Sequence, residues 1–104
     1  MSSERLKGHL EPLLLGVLQR RPAHGYAVIA GLRERSGGEF DLPEGTVYPA
    51  LHRLEKQGLL KSDWEVVDGR RRRVYSITGA GANVLAQQRA EFDLFAASVR
   101  MVLS

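Results

Sequence analysis

The 104-residue sequence predicts a mainly α fold with a small β-hairpin. Three observations predict it. Four stretches repeat apolar residues at spacings of three and four, as helices with one buried face do. The stretch Leu60 to Val66 switches to a period of two, meets the tight-turn pair Asp68-Gly69, and is followed by a second alternating stretch. The length allows one domain and little more.

Composition narrows the function. The hydrophobic fraction, 43%, is ordinary for a folded protein. Net charge is +3, mildly basic, so the distribution of charge matters more than its sum. The absence of cysteine excludes disulfides, thiolate nucleophiles and zinc-thiolate sites. His9, His24 and His52 fall on different predicted elements without ligand spacing, so neither a metal site nor a cofactor is expected. No Ser-His-Asp arrangement can be argued at this size, and the chain reads as a non-enzyme. No apolar run reaches membrane-spanning length, and Glu4 to Glu11 is too polar for a signal peptide. A cytoplasmic protein without a membrane partner is expected.

Met1 to Glu4 reads as a loose terminus. Leu10, Leu13, Leu14, Val17 and Leu18 form the stripe of a first helix, ended by Arg21-Pro22. Pro12 suits its first turn, or follows a short turn spanning Leu6 to Leu10. The run Leu13 to Leu15 is apolar enough to be buried on most sides, which makes this helix the core. A second helix spans Gly25 to Arg35, with Tyr26, Ile29 and Ala30 marking one face, Val28 and Leu32 beside it, and Ser36-Gly37-Gly38 as its stop. The connection from Gly37 to Gly45 carries Phe40 and Leu42, which plug the core.

The third helix lies within Pro43 to Leu60. Val47, Leu51 and Leu54 share its inner face, and Gly58 fits its end. Tyr48, Pro49, His52, Arg53 and Lys56 fall on the opposite face, which offers donors, cations and one aromatic ring to a polyanion. Thr46 is the N-cap candidate, placing Pro49 in the first turn; an earlier start near Glu44 would put a bend at Pro49. The positive end of the helix suits a phosphate. Helix, loop and amphipathic helix in this order make a helix-turn-helix whose second helix suits a DNA major groove.

The strand Leu60 to Val66 should bury one face, Leu60, Ser62, Trp64 and Val66. The return strand alternates Arg73, Tyr75 and Ile77 with Val74 and Ser76. A hairpin here is a wing, and the fold becomes a winged helix-turn-helix. Arg70, Arg71, Arg72 and Arg73 follow the hairpin turn in a row. Four guanidinium groups on a short ribbon repel one another unless an anion lies between them, so this tip reads as a contact to phosphate or the minor groove. Because alternate residues face opposite ways, two or three of the four should touch one backbone.

Thr78 caps a last helix from about Ala80 to Leu103, on the order of 35 Å long at 1.5 Å per residue. Leu85, Gln88, Phe92, Phe95, Val99 and Val102 form a heptad seam, with Leu94, Met101 and Leu103 outside it. A small domain cannot cover such a helix alone. A two-fold homodimer is expected, with Leu85, Phe92, Phe95, Val99 and Val102 at its interface. The expected division is a winged helix-turn-helix DNA-binding domain over 1–78 and a C-terminal dimerisation helix over 79–104.

The chain resembles the PadR family of bacterial transcriptional regulators over nearly its whole length. The matching pieces are HGY at His24 to Tyr26, EGTVYPALHRLEKQGLL at Glu44 to Leu60, the Trp64 strand, GRRRRVYSIT at Gly69 to Thr78, and the following Gly-Ala-Gly. The second and fourth are specific in this order and spacing; HGY alone is weak. The single last helix is similar to the short branch of the family. The resemblance implies a homodimeric repressor on a palindromic operator. It implies DNA contacts at Thr46, Tyr48 and Pro49, with His52, Arg53 and the basic wing, and puts His24 and Tyr26 near the DNA-facing end. Tyr26 is read as a packing residue whose hydroxyl reaches toward a phosphate. Some relatives bind flat aromatic ligands between the C-terminal helices, which makes Phe92, Phe95 and, less directly, Trp64 candidate effector-binding residues; the two phenylalanines filling the dimer core is the preferred reading. Gly37-Gly38-Glu39-Phe40 matches a fragment of the cyclic di-GMP cyclase signature, a coincidence without a βαβ pattern around it. The alternative to a double-stranded DNA partner is a winged-helix protein-interaction module, which salt dependence of binding would distinguish.

Overall fold

The first helix, α1 (Leu10–Arg20), is the hub: its Leu14, Leu15 and Leu18 are buried, and it touches every other helix and the sheet. The structure is a computed structural model that describes residue 6 and residues 8–104. The terminus expected to be loose, Met1 to Glu4, lies outside the described residues. Both expectations for Pro12 hold together. A turn in which the His9 N–H donates to the Leu6 carbonyl at 2.7 Å precedes the helix, and Pro12 sits in its first turn. Extended backbone at Arg21 ends it.

Two residues between the first and second helices, expected only as a connection, form a strand, β1 (Ala23–His24). The second helix, α2 (Gly25–Arg35), has the predicted bounds but not the predicted face. Gly25, Val28 and Leu32 point inward, whereas Tyr26 and Ala30 are exposed. The inward set keeps the three-and-four spacing with a small residue at the close contact, which a search for large apolar side chains overlooks. In the loop that follows, Leu42 is buried and Phe40 half-buried against the same core.

Helix α3 (Glu44–Lys56) buries Val47, Ala50, Leu51 and Leu54. Its cap corrects the expectation for Thr46. The N–H groups of Thr46 and Val47 both donate to the Pro43 carbonyl, at 3.0 and 3.2 Å, so Pro43 is the N-cap and Thr46 lies inside the first turn. Pro49 therefore stands inside the helix. It has no N–H to give to the carbonyl of Gly45, itself an exposed residue. Gly58, at φ 78°, closes the far end as expected.

The hairpin joins β2 (Leu60–Val67) to β3 (Arg70–Ile77). Both turn residues, Asp68 (φ 52°) and Gly69 (φ 78°), have the positive φ that a two-residue hairpin turn needs. The sheet has three antiparallel strands in the order β1-β3-β2, with Ala23 opposite Tyr75 and Ser62 opposite Tyr75 on its other edge. Between these edges the adjacent Val74 and Tyr75 are both buried. The buried face expected along all of β2 stops at its base: Leu60 is buried and Ser62 half-buried, but Trp64 is 56% and Val66 73% exposed. The ribbon outruns the body of the domain and becomes a wing.

Helix α4 (Gly79–Leu103) is capped as expected: the Gly81 N–H donates to Thr78 Oγ1 at 3.0 Å. The Thr78 hydroxyl in turn donates to the Gly58 carbonyl at 2.7 Å, tying α4 to the end of α3. The predicted seam is split in two. Gly81 and Leu85 are buried in the domain's own core, so Leu85 is already covered and is not free for a partner. Phe92, Phe95, Val99 and Val102 are exposed, as are Leu94, Met101 and Leu103. The outer half of α4 overhangs the body, and the long axis of the molecule reaches 52 Å. Among the described residues, no helix is long and apolar enough to cross a membrane.

The fold is a winged helix-turn-helix with a long C-terminal helix.

Candidate nucleic-acid interface

The outer face of α3 starts from its burial on the inner one. With Val47, Ala50, Leu51 and Leu54 fixed in the core, Pro49, His52, Arg53 and Lys56 are exposed, and Thr46 and Tyr48 are half-buried. No carboxylate stands among them. Tyr48 is held by α2. Its ring lies against Gly25, where a Cβ would overlap it, and meets the ring of Tyr26 edge-on at 6.1 Å between centroids. Burial, and then the nearby Glu44, raise the Tyr48 pKa above the usual phenol value. Tyr48 is a hydrogen-bond donor there, not an anion.

His24 caps α2. Its Nδ1 accepts from the Ala27 N–H at 3.3 Å, so this nitrogen carries no proton. Burial, and next the positive charge of Arg72, lower the His24 pKa; Asp68 opposes them. Tyr26 packs against Tyr48 at the surface and not in the core. It is 52% exposed, and the Glu44 carboxylate, as hydrogen-bond acceptor for the phenol, raises its pKa. The guanidinium of Arg72 lies over its ring at 5.4 Å. His24, Tyr26, Tyr48 and Arg72 thus form one cluster joining α2, the start of α3 and the wing.

Strand register sorts the four arginines. Arg73 pairs with Trp64 and Arg71 with Val66, on one side of the ribbon; Arg72 pairs with Glu65 and Arg70 with Val67, on the other. The guanidinium groups of Arg71 and Arg73 accordingly flank the Trp64 ring at 5.0 and 5.4 Å. Arg70 and Arg71 are exposed at the tip, and Arg72 is half-buried, its Nε without a hydrogen-bond partner. Arg73 is differently placed. Its Nε donates to Ser62 Oγ at 2.7 Å, and a terminal nitrogen is 3.7 Å from Glu55 Oε2. The Ser62 hydroxyl donates to the same carboxylate oxygen at 2.5 Å. Sequence reasoning missed Glu55 and Ser62, because nothing in a linear pattern tells which face of a ribbon meets which turn of a helix.

The predicted effector residues do not share a site. Phe92 and Phe95 line an open groove of about 750 Å³ between α1, α4 and the end of α2, together with Leu13, Val17, Phe40 and Leu85. His9 meets Phe92 edge-on at its rim. Trp64 is on the wing between its two arginines and takes no part in the groove. Among the described residues, no three His, Asp or Glu side chains gather as metal ligands.

Residues 14–87 match the model of the Transcriptional regulator PadR-like family. Over 67 residues the chain is 46% identical to the Transcriptional regulator Rv3488 of Mycobacterium tuberculosis, covering 64% of this chain and 63%, less than two thirds, of that protein. Among solved structures, a PadR family transcription regulator from Clostridium difficile is similar at a TM-score of 0.83 and 31% identity, covering 92% of this chain and 99% of that one. A transcriptional regulator from Clostridium thermocellum is similar at a TM-score of 0.85 and 28% identity, over 94% and 96% of the two chains.

Proposed function

Because this chain belongs to the PadR-like family of transcriptional regulators, whose members are DNA-binding proteins and not enzymes, we propose that it acts as a cytoplasmic homodimeric repressor on a palindromic operator. The observation that carries this reading is the cluster of Arg72, Tyr26 and Tyr48, which joins the cationic wing to the outer face of α3. Helix and wing then address one duplex from a single continuous surface. Thr46, Tyr48, Pro49, His52, Arg53 and Lys56 face the major groove, and the arginine tip faces the flanking phosphates. His24 and Tyr26 support the first of these from behind.

The exposed stripe of Phe92, Phe95, Val99 and Val102 supports dimerisation. Burying it against a second copy removes a contiguous apolar surface from water and sets two recognition helices about one helical turn apart. The groove beside Phe92 and Phe95 suits a small aromatic effector that would compete with this packing.

In vitro selection from a random duplex pool tests the proposal. The expected result is a symmetric site, bound with an affinity that falls steeply as salt rises. Asymmetric enrichment would count against the palindromic operator, and no enrichment, with binding indifferent to salt, would instead favour a protein-interaction module.

A further inference from the structure

The four consecutive arginines differ in what surrounds them. Among the described residues, Arg73 is the one of the four paired with a carboxylate. Its guanidinium is engaged on three sides, by Ser62 Oγ, by Glu55 and by the Trp64 ring. Ser62 closes the triangle by donating to Glu55. Glu55 belongs to α3, Ser62 to β2 and Arg73 to β3, so the three side chains brace the recognition helix against both strands of the wing. Arg73 and Glu55 together carry no net charge, so this arginine offers a phosphate less than an unpaired one does. Pulling it out would leave the half-buried Glu55 carboxylate with the Ser62 hydroxyl and no cation beside it.

We propose that Arg73 is a positioning residue rather than a DNA contact: with Ser62 and Glu55 it sets the angle between the wing and α3, and the phosphate-directed charge of the run resides in Arg70, Arg71 and Arg72. This rests on the DNA-binding function proposed above. It makes Glu55, a negative residue on the recognition helix, favourable for binding a polyanion. Simple charge counting gives the opposite sign, because removing a carboxylate near DNA should tighten the complex.

The test is a salt titration of operator binding by the full chain and its variants. Removing one cation from a phosphate flattens the plot of log affinity against log salt by about 0.9, so Arg71→Gln should flatten it by about 1.8 for a two-subunit complex. Arg73→Gln should weaken binding several-fold and leave the slope at the wild-type value. Glu55→Gln should also weaken binding, although it makes the protein more positive. The exchanged pair Arg73→Glu with Glu55→Arg should recover most of the affinity that Arg73→Glu alone forfeits. Thermal melting of each variant verifies that the domain is folded, and the two glutamine variants decide the matter should the exchanged pair not fold. A slope flattened by Arg73→Gln as much as by Arg71→Gln, or tighter binding by Glu55→Gln, overturns the proposal while leaving DNA binding intact. Wild-type protein without salt-dependent binding overturns the underlying function, and the proposal with it.

Discussion

The ring of Tyr48 occupies the space that a side chain on Gly25 would need. Two helices thereby share one contact: the first residue of α2 is the wall against which a recognition-face residue of α3 rests. The atoms in the way are the far end of a half-buried tyrosine, which can swing outward. Gly25→Ala should therefore fold almost normally, since the tyrosine ring yields at small cost and alanine suits a helix at least as well as glycine. Operator affinity should fall nonetheless, because Tyr48 is displaced. Unchanged binding alongside an unchanged melt would show that the placement of Tyr48 is unimportant.

Gly81 gives the opposite result for the same substitution. A Cβ there would strike the backbone carbonyl of Leu59 and also press on Ile77 Cγ1. Neither α4 nor the chain at Leu59 can yield without breaking the Thr78 hydrogen bonds to Leu59 and Gly58. Gly81→Ala should destabilise the domain by about 2 kcal/mol, or roughly 10 °C in Tm, despite the better helix former. A melt within a degree or so of wild type would contradict this packing.

Acid should loosen the start of α2. His24 can cap the helix only while Nδ1 is unprotonated, and its pKa is lowered in the folded protein by burial and Arg72. A lowered folded pKa means that the unfolded chain takes up the proton first. The stabilisation is then complete above the unfolded value of about 6.5 and is lost as pH falls through the folded value. Asparagine caps a helix at any pH. The difference in Tm between wild type and His24→Asn should therefore shift against the wild type on acidification, and a pH-independent difference would rule the cap out as its source.

Phe95, exposed at 62%, and Phe92, at 55%, separate self-association from folding. Phe95→Glu should leave the melting cooperative and convert a dimer to a monomer in analytical ultracentrifugation, with loss of operator binding. Leu85→Ala acts inside the domain instead and should cost about 2–5 kcal/mol of stability, the usual range for a leucine truncated in a core. Wild-type protein that sediments as a monomer at every concentration would remove the basis for the dimer.

What could be read from the residues was what is local. The bounds of α2, the Thr78 cap and the Asp68-Gly69 turn each depend on neighbours a few positions away, and all three stand as expected. Of the two starts open for α3, the earlier one at Glu44 is formed: Thr46 is the better capping residue, but the Pro43 carbonyl takes both amides. Strand β1 was missed because two residues carry no periodicity, and its partners Val74 and Tyr75 come far later in the chain. At the candidate site, alternation divided the arginines into two sides. It could not reveal that one side leads to Tyr26 and the other to Trp64 and Glu55, since those meetings are made by the fold.

The shortness of β1 has a mechanical consequence. It flanks β3 at Val74 and Tyr75 alone, so the ribbon is three strands wide at its root and two beyond it. Deuterium should enter the root amides slowly and those from Val66 to Arg71 quickly. A stiff root with a supple tip would let the arginines proposed to face phosphates follow local changes in duplex width while the helices stay in register.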